Sequence, residues 1–155
     1  MNRWILGVIA IAISAIMAVG CGGGDDSTTA LTKAEFTKQA SAICTEGKQE
    51  FDAAIADYNK TVESTPGGTS DAGFQRDAAN EMLNGSILPS MQEELEQLEE
   101  LGAPAGDEAD VSKMVKTLSQ TIEGLEGKGI RELLYSEKYG RFQQEAEAYG
   151  LECSA

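Results

Sequence analysis

The sequence predicts an all-α fold, an up-down-up-down four-helix bundle on a flexible N-terminal tether, and three observations predict it. Apolar residues recur every three or four positions through most of residues 31–155. Residues that start and stop helices bracket each of those stretches. No segment alternates apolar and polar residues between hairpin turns, so strands are not expected. Short connectors between the helices favour antiparallel neighbours, hence the bundle.

The first helix begins at Thr32, where Thr32-Lys33-Ala34-Glu35 fits a capping box and Leu31 and Phe36 occupy the flanking apolar staple positions. Phe36, Ala40, Ile43, Gly47, Phe51, Ile55, Tyr58 and Val62 then form one helical stripe. Ser64 to Ser70, with Pro66 and paired Gly67-Gly68, ends it. A second helix starts near Asp71 with the stripe Phe74, Ala78, Met82, Gly85, Leu88, Met91, Leu95 and Leu98. Pro89 lacks an amide donor and clashes one turn back, so a kink or a division is expected there. Gly102 to Gly106 closes this segment, and Asp107 or a neighbour caps a third helix with Val111, Met114, Leu118, Ile122 and Leu125 inward. After Gly127-Lys128-Gly129, a short turn carries Ile130, Leu133 and Leu134. Ser136 caps a final helix with Tyr139, Phe142, Ala146 and Tyr149 inward, and Gly150-Leu151 suits a left-handed cap.

Residues 1–20 read as a signal segment. Met1 to Arg3 carry a positive charge, and the 17 residues from Trp4 to Gly20 carry none. Ala18-Val19-Gly20-Cys21 resembles the lipobox recognised by lipoprotein signal peptidase. That resemblance implies a diacylglyceryl group on the Cys21 thiol and cleavage before it. A diacyl group suits the physics, because each buried methylene contributes about 0.8 kcal/mol and two chains hold firmly where one does not. An uncleaved membrane-spanning helix is the alternative; either form places the domain on the outer face of the cell membrane, with Arg3 inside and Asp25 and Asp26 outside. Residues 21–30 are the lipidated cysteine and a Gly/Asp/Thr tether with a reach of about 15 to 18 Å. Residues 31–155 are the helical domain.

With Cys21 assigned to lipid, Cys44 on the inner edge of the first helix and Cys153 past the last remain. An even pair in an exported chain reads as a disulfide, and the end of the last helix should return towards the lower half of the first. Two unpaired thiols are the alternative. A redox role is not expected, because no C-x-x-C pair supplies a resolving thiol next to a reactive one.

The lipobox, the tether, the segment Leu31 to Cys44 (LTKAEFTKQASAIC) and the ending Tyr149 to Cys153 (YGLEC) together resemble small helical lipoproteins of high-GC Gram-positive bacteria. The resemblance implies export, the bridge and a helical fold, and implies no ligand or activity.

Charge and composition exclude several functions. The formal net charge of −14 repels phosphate backbones, so nucleic acid is not a partner, and there is no polybasic grip on anionic lipid. The chain has no histidine, which removes Ser-His-Asp and Cys-His nucleophiles, histidine zinc sites and C-x-x-C-H haem attachment. No phosphate-cradling glycine loop occurs. Glu93, Glu94, Glu96, Glu99, Glu100, Asp107, Glu108 and Asp110 form the densest acidic run, read as a solvated face rather than a cation site. Met82, Met91, Met114, Tyr58, Tyr139 and Tyr149 fall on inner stripes, as core rather than a haem pocket. The expectation is therefore a non-enzymatic, lipid-anchored envelope protein with no cofactor and no metal ligands, contacting an unknown envelope protein or the wall. The alternative is a small-solute or cation-binding lipoprotein.

Overall fold

A computed structural model describes residues 31–153. The signal segment, Cys21 and the tether lie outside the described residues. Within them the chain is all-helical, and no strand is present. The helices are α1 (Lys33–Ser64), α2 (Ala72–Met82), a π-helical turn (Leu83–Ile87), α3 (Leu88–Leu101), α4 (Glu108–Leu125), α5 (Ile130–Leu134) and α6 (Glu137–Tyr149). No described helix is long and apolar enough to cross a membrane.

The caps form through the local chemistry expected of them. The Thr32 amide donates to the Glu35 carboxylate at 2.9 Å and the Glu35 amide to Thr32 Oγ1 at 3.3 Å, closing the capping box. Asp71 accepts from the amides of Gly73 and Phe74, at 2.9 and 3.0 Å, and Ser136 from that of Tyr139 at 3.2 Å. Each replaces water on a backbone donor that the helix itself leaves unpaired.

The second stripe departs from expectation at the π turn. The Leu88 amide donates to the Leu83 carbonyl, one residue further back than in an α-helix, and Pro89 follows at once. Pro89 has no donor of its own and its ring crowds the carbonyl four residues earlier, that of Gly85; widening the turn removes the conflict without breaking the rod. The inserted residue rotates the helix face by about 100°. Gly85, expected inward, is therefore exposed, while Leu83 and Ile87 fill the core.

α1 packs against α2, the π turn and α3; α3 packs against α4, and α4 against α6. Phe36, Leu83, Leu98, Met114, Leu118 and Phe142 are the large side chains at the centre. On α4 all five expected residues are buried. Thr117 and Thr121 are buried with them, their hydroxyls donating to the carbonyls of Lys113 and Thr117 at 2.9 and 2.8 Å. A Lys113–Glu145 ion pair at 3.1 Å joins α4 to α6. α5 is fixed by Asn80 of α2, whose Oδ1 accepts from the Ile130 amide at 3.1 Å. Leu133 of α5 is buried. Leu134 is 70% exposed because one turn of helix has one inner side only, and Tyr135 beside it is 76% exposed.

Candidate functional site, a half-buried carboxyl beside the disulfide

Cys44 lies in the second quarter of α1 and is 3% exposed. Cys153 reaches it through the end of α6. Gly150 takes a φ of +98°, a conformation that costs a residue with a Cβ about 1 kcal/mol or more. This reverses the chain so that the Leu151 amide donates to the Ala146 carbonyl at 2.9 Å and the Leu151 side chain enters the core. The Glu152 amide then donates to Ser41 Oγ on α1 at 3.2 Å. The two cysteines arrive with their Cα atoms 4.8 Å apart and their sulfurs bonded.

Glu94 of α3 sits beside this bond. Its place one turn after Met91 and one before Leu98, both buried, turns it towards α1. α1 presents Gly47 there, and a Cβ at that position would stand 3.3 Å from Glu94 Oε2, so the glycine leaves the carboxyl room where a side chain would crowd it. A carboxylate oxygen of Glu94 and the sulfurs of Cys44 and Cys153 all lie within 4.8 Å of one another. They line a small cavity of about 30 Å³ together with Lys48, Phe51 and Tyr139. That volume admits a water or two, far short of the several hundred Å³ a small-molecule site needs.

Removal from water pushes the Glu94 carboxyl up to about 7. The Tyr139 hydroxyl is pushed above its usual value, by burial first and by the Glu94 charge second. Lys48 pairs at 3.3 Å with Asp52, one turn along α1. Glu94 was read from the sequence as part of the solvated acidic face, and the structure corrects this. Glu93, Glu96, Glu99 and Glu100 are exposed, whereas Glu94 turns inward. The spacing Met91, Glu94, Leu98 and the unexplained Gly47 on the facing stripe were the available signals. Because the two sulfurs are spent on each other, the oxidised trio offers a cation one carboxylate and no thiolate.

A second polar cluster binds the start of α4 to the end of α6. Asp107 stands at the N-terminal cap position of α4, but its side chain does not cap. It accepts from Tyr149 Oη at 2.8 Å and pairs with Lys33 at 3.3 Å, while the Glu108 carboxylate takes the Gly106 amide at 2.9 Å. Asp107 is thereby held below the usual carboxylate range, by the Tyr149 hydrogen bond first and Lys33 second. Tyr149 is pushed up to about 12 by burial and then by Asp107. Its ring meets Phe36 edge to face at 5.6 Å, with the Lys33 ammonium 4.2 Å from its centroid. Sequence alone did not join these residues, which come from three helices.

Neither a known family model, nor a curated protein, nor a solved structure matches the chain.

Proposed function

We propose that this chain is an exported helical protein held at the outer face of the cell membrane by a lipid on Cys21, and that it works by contact rather than catalysis. The Cys44–Cys153 bridge carries the reading, because a bond joining opposite ends of a domain persists in an oxidising compartment and is rare in the cytosol. Cys21, in its lipobox-like setting, is the cysteine left over from that pair.

In this reading α1, the α2–π–α3 rod, α4 and α6 form the four rods of an up-down-up-down bundle, with α5 a single-turn elbow. The cavity beside the disulfide is water-sized, and the larger concavities, at the 65–74 turn and between α1 and Pro89, are open surface clefts, which supports a contact protein over a carrier that encloses a solute. Leu134 and Tyr135, exposed side by side on the elbow, offer an apolar foothold to an envelope protein or the wall.

Cys21→Ser tests the anchor. The substituted chain should leave the membrane fraction or accumulate uncut, while wild type yields a mass beginning at a diacylated Cys21. Normal processing and membrane retention of Cys21→Ser would overturn the proposal. In intact cells, photo-crosslinking from Tyr135 should trap a defined partner.

A further inference from the structure

We propose that Glu94 is the acid–base group of a reversible Cys44–Cys153 dithiol/disulfide couple, opened by a dithiol reductant that attacks Cys153. The direction of attack follows from access. Cys44 is buried at 3% exposure, whereas Cys153 is half-buried in the terminal strand of chain at the cavity edge. Attack at Cys153 makes the Cys44 sulfur the leaving group, and it departs into surroundings built from Ile87, Met91 and Phe142. A bare thiolate is costly there, so its departure needs a proton.

Glu94 is the one carboxylic acid lining this cavity among the described residues, and it lies within 4.8 Å of both sulfurs. The Tyr139 hydroxyl, also on the cavity, is too weak an acid after burial. A carboxyl held near 7 can donate in one direction and accept in the other at neutral pH. The charged and titratable groups facing it are Glu46, Lys48 and Glu50 from α1, Glu93 from its own helix and Tyr139 from α6.

The steps balance. One thiolate of the reductant bonds to Cys153 Sγ as the S–S bond breaks, and Cys44 Sγ takes the electron pair and the Glu94 proton. The reductant's second thiol, as thiolate, attacks its own sulfur in the mixed disulfide. Cys153 leaves as a thiolate and is protonated from solvent, and Glu94 regains its proton from water. The bridge gains two electrons and two protons; the reductant loses the same and becomes a disulfide. No C-x-x-C pair is required, because the reductant's own second thiol resolves the mixed disulfide, and in the oxidising direction Cys44 does so.

The test is the rate of reduction of the full chain by dithiothreitol from pH 5 to 9, with Cys21→Ser so that only one couple reports. The rate is read by alkylation and mass, then divided by the concentration of dithiothreitol thiolate. In the parent the corrected rate should fall about tenfold between pH 6 and 8, following the protonated fraction of Glu94. In Glu94→Gln it should be flat and at least about tenfold below the parent at pH 6. A flat parent profile overturns the proposal and does not depend on how any variant folds. A Glu94→Gln chain of unchanged helicity that is flat yet as fast as the parent at pH 6 also overturns it, because removing a negative charge would then suffice.

Discussion

Replacing Glu94 by Gln should make the fold less sensitive to alkali. The fold holds this carboxyl at about 7 against an ordinary 4.5. Because its pKa is raised on folding, the folded chain binds the proton more tightly than the unfolded chain. The stability this contributes is present in full below pH 4.5 and is lost as pH rises through 7. A displacement of about 2.5 units is worth roughly 3 kcal/mol at its limit, and about 2.5 kcal/mol of it falls between pH 5 and pH 8. Gln keeps the shape and has no proton to lose. The other carboxylates of this acidic chain repel one another equally in both proteins, so the comparison isolates Glu94. Urea unfolding followed by far-ultraviolet circular dichroism reads the effect. With a slope near 1.5 kcal/mol per molar, the wild-type midpoint should fall roughly 1.5 to 2 M further than that of the variant between the two pH values. Parallel losses in the two proteins would refute the reasoning and mean that Glu94 reaches water in the folded state.

Three further outcomes are expected. Cys153→Ser opens a closed loop of 109 residues and should cost about 4.8 kcal/mol by the chain-entropy relation, measured by urea unfolding; a loss under about 1 kcal/mol would contradict a formed bridge. Gly47→Ala sets a methyl 3.3 Å from Glu94 Oε2, a contact relieved by a shift of a few tenths of an ångström, so the Glu94 midpoint, followed by carbon-detected NMR, should stay raised; a fall to 4.5 would mean that the carboxyl cannot yield there. The same change improves helix propensity by about 0.5 to 1 kcal/mol, so no large destabilisation should accompany it. Tyr149→Phe removes the first cause of the depressed Asp107 carboxyl, which should rise towards its ordinary value in an NMR titration. Since Asp107 is depressed in the fold, its stabilising effect operates above pH 3.8 and disappears as pH falls through its lower folded value, and Tyr149→Phe should blunt that acid loss.

What was legible in the sequence was whatever nearby residues decide. Thr32 with Glu35, Asp71, Ser136 and Gly150 act within one turn of chain, and the period of α4 needs nothing beyond its own residues. The pairing of Cys44 with Cys153 was also within reach, because two cysteines remain once Cys21 is set aside and the expected return of the last helix brings them together. The π turn was not, since Pro89 signals a conflict at Gly85 but leaves open whether the chain breaks, bends or widens there. With the turn unread, the faces upstream and downstream were joined in one phase, and Gly85 was placed inside. Glu94 was missed for a related reason: within a run of acids, only the facing Gly47 on another helix marks which one turns inward. Asp107 likewise had two uses, a cap or a partner for Tyr149, and the choice rests on a residue distant in the chain.

The bond from Cys44 to Cys153 also sets how the domain carries load. A pull between residue 31 and residue 153 runs through the first turns of α1 and then straight across the sulfurs, leaving everything from Thr45 to Glu152 as a slack ring outside the line of force. Even with that part of α1 drawn out completely, the span between the two ends stops growing at about 45 Å, where covalent bonds take over. Most of the helical core would stay folded under a tension that had already straightened its base.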